Sequence, residues 1–471
     1  VPGELGGRLA GLSLPRQVIA LATWPLLEQL LGFLVATVDL VIAARMSEGP
    51  ERVAIMDALG LSAYVVWLMM ILQGAIGTGV MALISRAAGA RDQELATKGM
   101  AQGLMAGFGT GVVSALAIRL ILGFLLGALQ LGEAARESAL AYLSILCLIC
   151  PILGMMFAAT NALRAIGDTR TPFFAMVVVN VVNVALSCLF VFGPEPIGGM
   201  GVSGLAWGSV LGWLAGLICL LVHLERMPGP GETKEDGVSL SLQFSQLRPE
   251  WSTMKRILRV GTPQGMEMFG MWLINCVTLR FVAGLAIGGS ISAHFIAIRV
   301  ESMSFLPGFA IGTAGATLVG QYLGAGNPEK AAHAVRVCWK YAAVLMGIIG
   351  LGFLLWPGVL VRMILPETDP NASVVIGRAI PLIFLCGIVQ PVLATCMIMK
   401  ITLRGAGATK IVMKGSFASM IFFRAIMVPV GVHFFGFDLF GIWVLMFCDI
   451  TVQAFVFVWV HFRGDWKSAV V

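Results

Sequence analysis

The sequence predicts an all-α membrane protein of twelve transmembrane helices, arranged as two six-helix lobes related by pseudo-twofold symmetry along the membrane normal. Three observations lead there. Of 471 residues, 58% are hydrophobic and only 12% charged, a balance that excludes an ordinary soluble domain. Apolar segments long enough to cross a bilayer recur between short polar turns, at 17–44, 58–85, 99–128, 138–163, 172–193, 201–224, 257–287, 292–320, 335–364, 373–402, 414–436 and 440–462. The halves also repeat: Gly77, Thr78, Leu83, Gly89, Ala90 and Glu94 return in order as Gly312, Thr313, Leu318, Gly324, Ala325 and Glu329.

Further landmarks keep the same order, with Pro25 matching Pro263, Leu163–Arg170 matching Leu403–Lys410, and Gly204 matching Gly441. An even number of spans per half makes both halves enter the membrane in one direction, which predicts parallel repeats and a cleft between two bundles. The expected organisation is an N-terminal lobe over 1–224, a cytoplasmic linker over 225–256 and a C-terminal lobe over 257–471. That linker is the only long hydrophilic stretch, and it carries Pro228, Pro230 and Lys234.

The net charge of +6 is not spread evenly. One alternate set of loops, with Arg86, Lys98, Arg164, Arg226, Lys255 and Arg404 among its members, is rich in basic residues. The other holds only Arg45, Arg52, Arg136, Arg362 and Arg378. By the positive-inside rule the first set and both termini are cytoplasmic, and no nucleic-acid partner is implied. The first apolar segment is too long, and too interrupted by polar residues, for a cleaved signal peptide. All nine cysteines lie in or at the ends of apolar segments, so neither a disulfide framework nor a metal site is expected; Cys147 and Cys150 have redox spacing but run into Pro151 inside a hydrophobic helix. No HExxH or GxSxG run occurs, nor a constellation of His and carboxylates at ligand spacing, so neither an enzyme nor a cofactor is expected.

The first span carries Pro25, Glu28 and Asp39. Eleven residues return Glu28 and Asp39 to nearly the same helix face, about 16 Å apart along the axis, so both can line one cavity. A charge at the bilayer centre costs about 2.5 to 3.5 kcal/mol on insertion scales, so a carboxylate at the depth of Asp39 must be protonated, paired or hydrated. Each option makes it a candidate ion switch. Glu28 either joins that cavity or lies near a water interface.

After the second span, Gly89 and Asp92 suggest a helix end capped by glycine and a new helix begun by Asp; Gly324 and Asn327 repeat the arrangement. In the fourth to sixth spans, Asn161, Asn180 and Asn183 place amides where an apolar side chain would cost less, serving either a ligand or an interhelical hydrogen bond. Asn180 and Asn183 share a helix face. Gly204, Gly208, Gly212 and Gly216 form a close-packing stripe in the sixth span. The seventh opens with Pro263 and Glu267, a proline and a carboxylate placed much as in the first, and makes Glu267 the acidic candidate of the second half. In the eighth, His294 is expected to start a helix, and Arg299 and Glu301 are too close in sequence to face each other.

Leu163 to Pro172, followed by Asn180 and Asn183, resembles the multidrug and toxic compound extrusion (MATE) transporters. Ala293 to Ala297, Gln321 to Asn327 and Leu403 to Gly407 are similar to that family's eighth-helix pattern, post-helix loop and second-half copy, and the likeness covers essentially the whole chain. It implies a monomeric, multi-pass antiporter of the bacterial inner (plasma) membrane that exports cationic, amphiphilic small molecules in exchange for H+ or Na+. Asp39 matches the aspartate used in cation coupling, with Asn180 and Asn183 beside it, and would be the Na+ ligand if sodium is the ion. Pro25, and Pro263 in the repeat, match helix hinges. Glu267, Glu28 and Gln390 are the candidates for a substrate or second acidic site. Two positions depart from the family pattern: Ser187 stands where many members have an aspartate, and Gly387 where another branch has an acidic residue.

The expected mechanism is secondary active export, with Asp39 taking the cation and its lobe then releasing substrate. The 25 methionines suit an adaptable apolar cavity. The rival reading is a flippase for a lipid-linked oligosaccharide or other lipid precursor. It needs basic side chains for phosphate, and within the spans Arg119, Arg280, Arg299 and Arg424 are the main candidates.

Overall fold

The structure, a computed structural model of the chain, describes residues 5–128, 132–194, 196–228, 237–242, 247–285, 288–365 and 372–469. The all-α fold is observed, with no strand among the described residues. Eleven helices are long and apolar enough to span a bilayer, and a twelfth span results when two helices bent by 48° are joined. In order they are α1 Leu14–Met46, α2 Gly49–Ala90, α3 Gln93–Ala128, the bent pair α4 Glu133–Leu146 and α5 Ile149–Ala165, α6 Arg170–Phe192 and α7 Gly201–Glu225. The second half contributes α8 Trp251–Ala283, α9 Ser290–Gly324, α10 Pro328–Leu355, the short α11 Pro357–Ile364 and α12 Ala372–Gly405. It ends with α13 Thr409–Met420 running through a π-helical turn, Ile421–Met427, into α14 Val428–Phe435, and then α15 Leu439–Arg463.

The bend between α4 and α5 has a sequence cause. Pro151 lacks the N–H that would continue the ladder, and the Cys150 amide instead closes a tighter turn onto the Cys147 carbonyl at 3.2 Å. Both thiols are buried, which is the packing role their apolar setting predicts. At the turn after α2 the left-handed residue is Arg91, at φ +56°, not Gly89; its counterpart is Gly326, at φ +74°, not Gly324. The helix starts are as expected, with Asp92 Oδ1 accepting from Leu95 N–H and Asn327 Oδ1 from Lys330 N–H. Gly167 and Gly407 share a left-handed conformation at matched positions of the repeat.

Contacts group the chain into two units. Unit 1 holds Leu27–Gly265 with the residues up to Ala10; unit 2 holds Gly11–Leu26 and Met266–Val470. Both changes of unit inside the chain's long helices fall just after a proline, Pro25 in α1 and Pro263 in α8. In unit 1 the opening of α8 lies hard against α2: a Cβ on Gly79 would sit 2.3 Å from the Ile257 carbonyl oxygen, and one on Gly261 2.7 Å from that of Ala75. In unit 2 the opening of α1 is tied to α9, Tyr322 Oη donating to Gln17 Oε1 at 2.8 Å.

The described parts of the hydrophilic stretch pack onto α3 in unit 1. Gln93 exchanges hydrogen bonds with the backbone of Ser239, and Gln102 bridges the Arg248 carbonyl and the Glu250 amide. The remainder of the expected linker, 229–236 with Pro230 and Lys234 and also 243–246, lies outside the described residues.

Within unit 1, α6 and α7 meet along the glycine stripe. A Cβ on Gly208 would lie 2.1 Å from Ser187 Oγ and 2.8 Å from its amide nitrogen, and one on Gly212 2.9 Å from Asn183 Cβ. The missing side chains let the two backbones approach. Gly208→Ala should therefore destabilise by about 1 to 3 kcal/mol, read as a lower thermal midpoint in detergent. Gly109→Ala, where a Cβ meets nothing within 4 Å, should show no loss.

Candidate functional site

The stripe on α7 sets the geometry around Asp39. Because α6 and α7 lie so close, Asn183 and Ser209 converge on one point, and Asp39 of α1 occupies it. Ser209 Oγ donates to Asp39 Oδ2 at 2.9 Å, and Asn183 Nδ2 approaches Oδ1 at 3.4 Å. Asn183 also reaches Ser209 Oγ at 3.1 Å and Ser187 Oγ at 3.5 Å. Asp39 is 7% exposed, Ser209 3%, and Asn183 and Ser187 fully buried. The carboxylate is thus held by neutral donors alone.

Asn180 points elsewhere than its shared face with Asn183 suggested, its Nδ2 donating to the Met176 carbonyl one turn back. The carbonyl oxygens of both amides are buried and accept no hydrogen bond among the described residues. A buried acceptor without a donor is costly, and here two stand on the helix that faces Asp39. Carboxylate and amide oxygens are the ligands a hard cation takes, and a protonated Asp39 would instead offer a hydroxyl donor.

Glu28 does not share partners with Asp39. It forms a 2.6 Å ion pair with Arg164 at the end of α5, a residue read from sequence as a loop charge. The repeat has the same device: Glu267 pairs with Arg404 at the end of α12, at 2.9 Å. Each pair joins the helix just after its proline to the end of the fourth span of its own half. The second copy is heavier. Glu267 also takes Lys400 Nζ at 2.8 Å and Ser416 Oγ at 2.7 Å, and is 1% exposed. It is a closed ion cluster, so the acidic candidate of the second half is paired with two cations.

Lys400 extends that cluster to Gln453 Oε1 at 3.0 Å, and Gln453 Nε2 donates to Asp449 Oδ1 at 2.7 Å. Asp449, fully buried in α15, accepts from Ser419 Oγ and pairs with Arg424 Nε at 2.6 Å. Arg424 belongs to the π turn and also reaches Asn275 Oδ1 at 3.3 Å. One chain of charges thus runs through α8, α12, α15 and the π turn of unit 2. Asp449, Lys400 and the buried position of Arg404 escaped sequence reasoning, although the rule that singled out Asp39, an ionisable group inside an apolar span, applies equally to Asp449.

Gln390 lies in α12, apart from all of these; its Nε2 donates to Ser304 Oγ of α9 at 3.0 Å and its Oε1 is buried without a donor. His294 opens α9 and accepts from Trp443 Nε1 at 3.0 Å, a structural pairing. Pro25 and Pro263 both lie inside continuous helices. Of the four basic side chains named for a phosphate-bearing lipid, Arg119, Arg280 and Arg299 are exposed and Arg424 is already paired with Asp449.

Comparison with known proteins gives a consistent result. The family model MatE matches residues 25–189 and 263–430, one segment in each half. A probable multidrug resistance protein NorM of Thermotoga maritima is 28% identical over 419 residues, covering 88% of this chain and 86% of its own. A protein of the same description from Idiomarina loihiensis is 26% identical over 74% of this chain and 73% of its own. Among solved structures, an outward-facing multidrug resistance MATE family transporter superposes with a TM-score of 0.84 at 20% identity, over 97% of each chain.

The chain of charges in unit 2 has a measurable energetic signature. Arg424→Leu strands the Asp449 carboxylate and should cost about 3 to 5 kcal/mol, whereas Arg424→Leu with Asp449→Leu removes both charges and should recover most of it. Thermal unfolding of wild type, both single variants and the double variant gives the coupling directly; additive losses would show the pair to be unimportant.

Proposed function

The chain belongs to the MatE family, and from that premise we propose that it is a secondary active antiporter, exporting cationic amphiphilic compounds in exchange for an inward-moving proton or sodium ion bound at Asp39. The chain is a multi-pass membrane transporter; the ion, the substrate class and the site are the parts proposed.

The observation that carries the proposal is a contrast in counter-ions. Neutralising Glu267 or Asp449 would leave Arg404, Lys400 or Arg424 as buried cations without their partner, a penalty of several kcal/mol. Among the described residues Asp39 is bonded by a hydroxyl and an amide and by no cation, so a proton or sodium ion can come and go without leaving a partner cation stranded. The oxygen of the Asn183 amide, which has no donor among the described residues, gives an arriving cation a further acceptor. Binding changes the hydrogen bonding between α1, α6 and α7, and an ion can shift a conformational equilibrium only through such a difference between states.

Pro25 gives α1 a place to respond. A proline inside a helix removes one backbone hydrogen bond and crowds the preceding turn, at about 3 kcal/mol in an ordinary interior. Contacts also change unit directly after it. In this reading the bend couples Asp39 to release of substrate. The basic loop set puts both termini on the cytoplasmic side of the plasma membrane.

Ethidium efflux from proteoliposomes, with a proton gradient and a sodium gradient imposed separately, tests the exchange and names its ion. Asp39→Asn should abolish gradient-driven efflux while leaving the folded yield unchanged, because the amide keeps the volume and cannot titrate. Near-normal efflux from well-folded Asp39→Asn would remove Asp39 as the coupling site. Pro25→Ala should retain dye binding and lose turnover. Spin-label distances across α1 that change with pH identically in wild type and Pro25→Ala would rule the hinge out.

A further inference from the structure

Glu301 is an intramembrane carboxylate that the mechanism above leaves unused and that no ion pair engages among the described residues. It lies in α9 of unit 2, is 8% exposed, and among the described residues its carboxylate accepts no hydrogen bond and has no cation within ion-pair distance. Ordinary helix packing would place an apolar residue there. Two neighbours sharpen the anomaly. Ser304, one turn along, donates its hydroxyl to the Glu301 backbone carbonyl at 2.6 Å and accepts from Gln390 Nε2 of α12 at 3.0 Å. The other end of that amide, Gln390 Oε1, is buried with no donor, and the whole residue is 1% exposed.

We propose that Glu301, beside Ser304 and Gln390, is a second proton-accepting site, housed in unit 2 and separate from Asp39. The step is a simple proton transfer: a hydronium ion gives its proton to a Glu301 carboxylate oxygen, leaving water and a neutral acid with a hydroxyl donor. That donor arrives one helix turn from Ser304, whose partner Gln390 carries an acceptor, Oε1, with no donor among the described residues. A metal cation is disfavoured because Glu301 is a single carboxylate within electrostatic reach of the Arg424 guanidinium, and no group of three metal-ligating His, Cys, Asp or Glu side chains occurs among the described residues. Since Arg424 keeps its 2.6 Å bond to Asp449, neutralising Glu301 strands no cation.

The other charged and titratable groups around it are few. From α12 come the Cys386 thiol, within electrostatic reach, and Arg378, which is bound to Ser290 at 2.7 Å. From α11 comes Arg362. The charged side chains of α10, Glu329 to Lys340, lie in the half next to the C-terminal end of α9, away from Glu301. On α9 itself, Arg299 points outward, and His294 is engaged with Trp443.

The inference rests on the antiport reading for its role but not for its test. Infrared difference spectra of the purified full chain in lipid, stepped in pH, report the carbonyl stretch of each carboxyl group that gains a proton. Apart from the bands of the exposed carboxyl groups, which every variant shares, wild type should show one titrating band that Asp39→Asn removes and another that Glu301→Gln removes. Gln390→Leu should shift the frequency of the Glu301 band and leave that of Asp39 in place, which guards against a Glu301 variant that folds poorly. A Glu301→Gln spectrum superimposable on wild type, or a Gln390→Leu spectrum with neither band moved, overturns the proposal. Ethidium efflux insensitive to any ion gradient, with the Glu301 band present, would instead defeat the antiport reading and leave the proton site standing.

Discussion

A carboxylate carried into the bilayer interior must be given donors, a counter-ion or a proton, and this constraint orders most of what is distinctive here. The two units meet it differently. In unit 1, Asp39 is satisfied by a serine and an asparagine, brought to it because glycines let α6 and α7 close up. In unit 2, Glu267 and Asp449 are satisfied by Lys400, Arg404 and Arg424. Neutral donors leave a carboxylate free to change charge, while full cations hold it in one state. The two halves of a duplicated architecture thus satisfy their buried carboxylates differently, with neutral donors around Asp39 and full cations around Glu267 and Asp449.

The same constraint explains the matched pairs Glu28 with Arg164 and Glu267 with Arg404. Each fastens the helix just beyond its proline to the end of the fourth span in the same half. Each proline is thus followed, within one helix turn, by a side chain fastened to its own half.

The span count, the repeat and the helix starts were legible in the sequence because each rests on a local signal: apolar length, matched landmarks, and Asp92 or Asn327 before a new helix. Asp39 was legible for the same reason, being a carboxylate inside an apolar run. What could not be read was partnership. Arg164 and Arg404 look like loop charges because they sit at helix ends, yet both are largely buried against glutamates more than a hundred residues earlier. Asn180 and Asn183 share a face by spacing, but each amide turns to a different bond, and only packing decides which. Ser209 carries no signal at all; a serine among glycines reads as spacing, and its role appears only when α6 sets the opposite wall.

The π turn at Ile421–Met427 carries a further consequence, one of phase. A turn closed by i to i+5 bonds accommodates one more residue than an α-helical turn, so the helix that leaves it is rotated by about 100° relative to an uninterrupted wheel. Arg424 sits inside that slip and faces inward to Asp449, between Phe422 and Ile426, which face outward. The stretch from Thr409 to Phe435 is therefore two wheels spliced together. Labels walked along it would follow one periodicity before residue 421 and a displaced one after 427, and a residue deleted between them would bring the two wheels into step.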